Sequence, residues 1–145
     1  SGTENVAGIV GIGKAIELAD RSLELNNKKL KELREYYIKE IVSNISNIKI
    51  NGDLNSRLPG NINICFKGVE GSKLLKELDK KEICASSGSA CSSGFLNPSH
   101  VLLAIGVNNK LARGSLRITF GKENTKDDVE YLVKNLVEII HKLRN

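Results

Sequence analysis

From Glu4 to about Ile45 the chain runs without a proline, and Val6, Ile9, Val10, Ile16, Leu23, Leu30, Leu33, Tyr37, Ile41 and Ile45 recur at three- and four-residue steps. Apolar residues at that period share one face of an α-helix, so the opening segment predicts one long helix, or two with a kink at Asn26-Asn27. Thr3 stands before the pattern, and Glu4 follows where the positive end of a helix dipole would sit, which predicts Thr3 as the N-cap. A helix of that length needs something beyond a small domain to pack on. Gly8, Gly11 and Gly13 do not spell GxGxxG and no strand precedes them, so they read as small residues for close helix packing rather than as a dinucleotide loop.

Shorter elements follow. Ile48-Lys49-Ile50 alternates and is closed by Asn51-Gly52-Asp53, and Asn61 to Phe66 alternates polar and apolar after the breaker Pro59-Gly60. Both read as strands, with Cys65 as a small buried apolar residue of the second. Helix returns around Gly71 to Leu78, and Ile83-Cys84-Ala85 reads as a short buried strand. From Ser86 to Gly94 there is no large apolar side chain to anchor the chain to a core, which predicts a mobile loop. Asn97 as cap and Pro98 at the first helical position predict a short helix from Ser99 to Ile105, ended by Gly106. Leu116, Ile118 and Phe120 alternate with Ser115, Arg117 and Thr119, a third strand with Arg117 on its polar face. Thr125 with Asp128 forms a capping-box signature, and Val129, Leu132, Val133, Leu136, Val137, Ile140 and Leu143 give the stripe of a closing helix. Few, short strands between helices of unequal length predict an α+β fold, with a small, mainly antiparallel sheet packed with helices behind a long N-terminal helix. The expected division is a helical segment over 1–45 and a small α/β domain over 46–145 that carries the cysteine loop, 86–95. No internal repeat and no interdomain linker is present.

Composition narrows the function classes. In 145 residues, 22 Lys+Arg face 17 Asp+Glu, a net charge of +5. At this length folding removes roughly 70% of the unfolded surface, enough for a core without metal or disulfide staples. The basic excess is dispersed: residues 14 to 40 hold 7 basic and 6 acidic side chains, a solvated mixed-sign face. With six aromatics in the chain and no basic–aromatic stripe, no nucleic-acid partner is expected. No apolar run reaches the ~20 residues of a membrane span and no basic-then-apolar leader opens the sequence, so neither membrane insertion nor secretion is expected. Three cysteines, Cys65, Cys84 and Cys91, form no CxxC pair and no even-numbered framework, which points to a reducing, cytoplasmic compartment.

Cys91 stands apart from the other two. A thiol among Gly, Ser and Ala in the middle of a loop is expected to be exposed and movable, the setting of a nucleophile; a flexible linker that happens to contain a cysteine remains the alternative. His100 and His141 both fall in amphipathic helices with no triad-like spacing to Cys91, so a self-contained Cys–His hydrolase is weakly supported. Arg117 is the second candidate, because a guanidinium on the polar face of a strand offers a rigid two-pronged fork to a carboxylate; an ordinary surface arginine gives the same pattern.

The run Ile83-Cys84-Ala85-Ser86-Ser87-Gly88-Ser89-Ala90-Cys91-Ser92-Ser93-Gly94, followed by Asn97-Pro98-Ser99-His100-Val101-Leu102, closely resembles the active-site loop of the NifS/IscS-type (group I) cysteine desulfurases. The resemblance covers the whole chain. Ser1-Gly2-Thr3-Glu4-Asn5-Val6 is similar to the family's Arg-Ser-Gly-Thr entry into a long helix. Leu58 to Asn63, with Val69-Glu70-Gly71, is similar to its small-domain strand and turn, and Arg113 to Gly121 to its arginine strand. It implies the C-terminal portion of a pyridoxal 5'-phosphate enzyme of the aminotransferase class V, fold-type I architecture. In that family, sulfur is removed from L-cysteine, L-alanine is left, and the sulfur passes on as a persulfide. By position Cys91 is implied as the nucleophile that becomes the persulfide, Arg117 as the clamp on the substrate α-carboxylate, and Thr3 as a donor to the cofactor phosphate of the neighbouring protomer in a homodimer. Cys65 and Cys84 receive no role. Sulfur-acceptor proteins such as an iron–sulfur scaffold are the implied partners, and Cys91 is then a transient ligand to a cluster shared with that scaffold. The family's cofactor-binding half, with its Schiff-base lysine, is expected before Ser1. The only His-Lys pair, His141-Lys142, lies in the closing helix without the glycines of that motif, and this chain by itself is expected to be inactive. A sulfur-carrier or interaction module built on Cys91, and a selenocysteine lyase-like enzyme, are the competing readings; the Ser-Ser-Gly-Ser-Ala-Cys run argues against the second.

Overall fold

The computed structural model describes residues 2–87 and 98–145. The expected opening helix is a single one, α1 (Val6–Asn44), with no break at Asn26-Asn27. Its cap is Asn5 and not Thr3: the Asn5 side chain accepts from the Gly8 N–H at 3.0 Å, the place an N-cap acceptor must occupy. Thirty-nine residues at ~1.5 Å each make a rod of roughly 58 Å. Only its far end is covered, where Leu33, Tyr37 and Ile41 enter the core. Nearer the start, Val6, Ile9, Val10, Ile16, Leu23 and Leu25 are each more than half exposed. A Cβ built on Gly11 or Gly13 meets nothing within 4 Å, so among the described residues no close packing uses them.

Behind α1 lies a three-stranded antiparallel sheet in the order β1 (Ile48–Ile50), β2 (Asn61–Phe66), β3 (Ser115–Thr119). The two-residue period divides its faces. Ile62, Ile64, Phe66, Leu116 and Ile118 point into the main core, against α1, α2 (Gly71–Asp79) and α5 (Lys126–Arg144). Leu74 and Leu78 of α2 are fully buried there, worth roughly 1.5–3 kcal/mol each. Tyr37 and Phe120 meet edge to face, with ring centroids 5.8 Å apart. The closing helix begins with the expected capping box: the Thr125 hydroxyl accepts from the Asp128 N–H, and the Asp128 carboxylate accepts from the Thr125 N–H at 2.8 Å.

The opposite face carries Asn61, Asn63 and Cys65 on β2 and, directly across, Thr119, Arg117 and Ser115 on β3. At one end two short helices cover it: α3 (His100–Ala104) and α4 (Asn109–Ala112) build a second cluster in which Cys65 packs with Leu102, Val107 and Ala112. Cys65 is thus buried as expected. Three expectations need correction. Ile83-Cys84-Ala85 forms no strand: after the left-handed turn at Glu82 (φ 57°), Ile83 and Ala85 pack against the core and Cys84 is exposed, and among the described residues of this segment Ser86 alone bridges to β3. Pro98 precedes α3 rather than opening it, the cap position being Ser99, while Asn97 lies outside the described residues. The helix α4, capped by the Asn108 side chain accepting from Leu111 N–H at 2.9 Å, was not expected. Most of the expected mobile loop, residues 88–97, lies outside the described residues.

Candidate functional site

The uncovered part of the outer sheet face gathers the polar side chains. Arg117 sits in the middle of β3, half-buried, because its neighbours Leu116 and Ile118 hold the strand onto the core from the other side. Asn63 of β2 is its register partner on one flank. On its other flank the chain leaving α2 adds a single antiparallel bridge: Arg117 N–H donates to the Ser86 carbonyl at 2.6 Å, and Ser86 N–H donates to the Arg117 carbonyl at 3.1 Å. Ser86, five positions before Cys91 in sequence, is therefore pinned beside the arginine. Cys91 itself lies outside the described residues.

Two glycines make this close approach possible. A Cβ on Gly71, the first residue of α2, would stand 2.7 Å from the Ser87 Oγ and 3.0 Å from the carbonyl oxygens of Arg113 and Ser115. One on Gly114 would run into the Phe66 carbonyl oxygen. The entry to β3 thus meets the start of α2 and the end of β2 backbone to backbone, with the Ser87 hydroxyl against Gly71, a packing that residues without side chains permit.

Behind Asn63 lies a polar group that sequence reasoning missed. Asn51, the residue after β1, is buried, and its Nδ2 donates to the Asn63 Oδ1 at 2.6 Å and to the Cys65 Sγ at 3.0 Å. The Asn51 carbonyl accepts from the Arg57 guanidinium at 2.6 Å. Burial pushes the Cys65 thiol pKa up, only partly offset by the Asn51 amide, so this cysteine is held as a neutral thiol. The signal was present in the alternation Asn61-Ile62-Asn63-Ile64, whose polar positions share the face of Arg117.

Thr3 is far from these groups. It is exposed in the segment before α1, and Val6 stands roughly 40 Å along the helix axis from Leu33, where the core begins. His100 and His141 are both exposed, at the start of α3 and near the end of α5. Among the described residues, no cluster of three His, Cys, Asp or Glu could hold a metal ion, and no helix is long and apolar enough to cross a membrane.

The aminotransferase class-V family model matches residues 1–132. Similar relatives include the cysteine desulfurase IscS of Dictyoglomus turgidum, 51% identical over 99% of this chain, and that of Methanosarcina thermophila, 46% identical over 100%. Each match takes up 36% of the relative, so the chain spans about a third of the length of the curated relatives it matches. Among solved structures, a NifS-like protein superposes with a TM-score of 0.83 at 32% identity, covering 98% of this chain and 35% of that one. The NifS-like protein from Rickettsia africae gives 0.83 at 33%, covering 97% and 36%. A family model that runs from the long helix into α5, together with the same fold in these structures, makes the chain a member of the aminotransferase class-V family, of the NifS/IscS cysteine desulfurase type.

Proposed function

We propose that this chain supplies the nucleophile and the substrate clamp of a pyridoxal phosphate-dependent cysteine desulfurase, acting on L-cysteine within a cytoplasmic homodimer. The observation that carries the reading is the Ser86–Arg117 bridge. Cys91 lies five positions after Ser86, at most about 18 Å of extended chain, so the thiol is tethered within reach of the arginine that would hold the substrate.

Pyridoxal phosphate, when bound, supplies the electron sink that weakens the substrate C–S bond. The residues of this chain fit a contact to its phosphate group at Thr3, whose hydroxyl is exposed at the positive end of α1. With some 40 Å of helix between Thr3 and the Arg117 face, that contact serves the site of the neighbouring protomer. Arg117 takes the α-carboxylate in a bidentate grip and fixes the substrate about one axis. The Cys91 thiolate attacks the substrate sulfur; an S–S bond forms as the C–S bond breaks, the electron pair stays with the carbon fragment, and that fragment gains a proton to become alanine. The persulfide on Cys91 then passes its outer sulfur to an acceptor thiol, as in iron–sulfur cluster assembly, where Cys91 would also serve as a transient cluster ligand on a scaffold. The exposed apolar face of α1 suits a helix covered in the intact enzyme.

The test uses the full-length, cofactor-loaded protein and follows L-alanine release and persulfide labelling of Cys91. Cys91→Ala should abolish both while L-cysteine still binds. Alanine release that survives in Cys91→Ala would overturn the assignment.

A further inference from the structure

We infer that Asn63 is a second donor to the substrate carboxylate beside Arg117, aimed by Asn51; this rests on the clamp role given to Arg117 above. Asn63 and Arg117 are direct register partners on β2 and β3, so their side chains leave the same face side by side. The two faces of the Asn63 amide are not equivalent. Its Oδ1 accepts from the buried Asn51 Nδ2 at 2.6 Å, and Asn51 continues β1, which lies on the far side of β2 from β3. A planar amide whose oxygen is turned toward β1 presents its nitrogen toward β3, where Arg117 stands. The same Asn51 Nδ2 also donates to the Cys65 Sγ at 3.0 Å and Asn51 N–H to the Asn63 carbonyl at 2.9 Å, while the Asn51 Oδ1 is buried without a hydrogen-bond partner among the described residues.

Two neighbouring donors, neither given an acceptor among the described residues, suit one acceptor group placed between them. Asn61, two residues earlier on the same face, donates instead to its own register partner, the Thr119 Oγ1, at 3.2 Å. Among the described residues no carboxylate bonds either Asn63 or Arg117. Both groups are half-exposed, open to a small solute. A carboxylate has two oxygens and lone pairs enough for the guanidinium fork and one amide N–H together. Arg117 supplies charge, and Asn63 sets the tilt of the carboxylate plane, so the pair selects α-amino acids over simple aminothiols.

The test uses the full-length, cofactor-loaded protein, comparing L-cysteine with cysteamine, which keeps the amine and thiol but has no carboxylate. Asn63→Ala should raise the KM for L-cysteine about tenfold or more with a smaller change in kcat, and leave the KM for cysteamine within twofold. Asn63→Asp can still accept from Asn51 but loses the donor and adds a negative charge, so it should be worse than Asn63→Ala. Calorimetric binding of L-alanine should weaken in the same order, a readout independent of turnover. If Asn63→Ala fails to fold, Asn63→Ser carries the same comparison. An Asn63→Asp enzyme with the KM and L-alanine affinity of the parent would show that Asn63 merely accepts from Arg117, and would overturn the inference. If Arg117→Ala weakens L-cysteine while Asn63→Ala and Asn63→Asp do not, the inference falls and the clamp stands. If Arg117→Ala also changes nothing, the clamp reading falls with it.

Discussion

Ser86 and Arg117 exchange both of their backbone hydrogen bonds, at 2.6 and 3.1 Å, on the edge of β3 that β2 does not use. A single bridge is enough here because the flanking residues are fixed independently: Arg117 by β2 on its other edge, and Ser87 by its contact with Gly71. Ser86, five positions before Cys91 in sequence, is thus held by the same strand that carries Arg117.

Arg117→Ala should therefore impair substrate binding without loosening the bridge, since the bridge uses only main-chain atoms. Losing a charge-assisted clamp costs about 2–3 kcal/mol, roughly 30- to 150-fold in the KM for L-cysteine in the full-length enzyme. Arg117→Lys should recover only part, because an ammonium cannot grip both oxygens in one plane. Steady-state kinetics of the two variants checks this; full recovery by lysine would refute the bidentate role.

Gly71→Ala should act on geometry. The added methyl would press on the Ser87 Oγ and two carbonyls, displacing either the start of α2 or the departure of the cysteine loop, at about 1–3 kcal/mol of overpacking. The expected signature is a lowered melting temperature together with a kcat loss that Gly11→Ala, on the open part of α1, does not share.

Glu77 gives the fold a defined acid sensitivity. Its carboxylate accepts from Lys142 at 2.8 Å and from Lys80 at 2.5 Å, tying α2 to the end of α5, and these bonds lower its pKa from 4.5 to about 2. A carboxyl whose folded pKa is depressed stabilises the fold above its unfolded value and loses that contribution as pH falls from about 4.5 toward 2. Melting temperatures of the parent and Glu77→Gln should differ by a constant amount above pH 5 and converge near pH 2, with added salt shrinking the difference. A gap that persists at pH 2 would contradict the assignment.

Tyr37→Phe should be neutral or stabilising by up to about 1 kcal/mol. The Tyr37 hydroxyl is buried without a hydrogen-bond partner among the described residues, while its ring meets Phe120 edge to face. Removing the oxygen keeps the ring contact and relieves the desolvated polar atom. Chemical denaturation at neutral pH measures the difference; a loss above 1 kcal/mol would mean that the hydroxyl is bonded.

Local rules fixed most of the elements. The 3.6-residue period of α1 and α5, the Thr125–Asp128 capping box and the two-residue alternation of β2 and β3 depend on residues close in sequence, and each reads out without the fold. The family resemblance was equally legible, because its motifs are short contiguous runs around Cys91 and around Arg117. Asn5 displaced Thr3 as the cap since both lie within one turn of the helix start, and only the observed path shows which oxygen reaches Gly8 N–H. Cys84 failed as a buried strand residue because its neighbours Ile83 and Ala85 take the core-facing positions and leave it exposed, which only the packed fold shows. That Asn51 bonds Asn63, that Asn63 lies opposite Arg117, and that Ser86 bridges to Arg117 across 31 positions of sequence are facts of register. Register is set when α1, α2 and α5 seat the apolar faces of β2 and β3 on one core; until then nothing in the sequence says which polar side chains will stand beside the arginine.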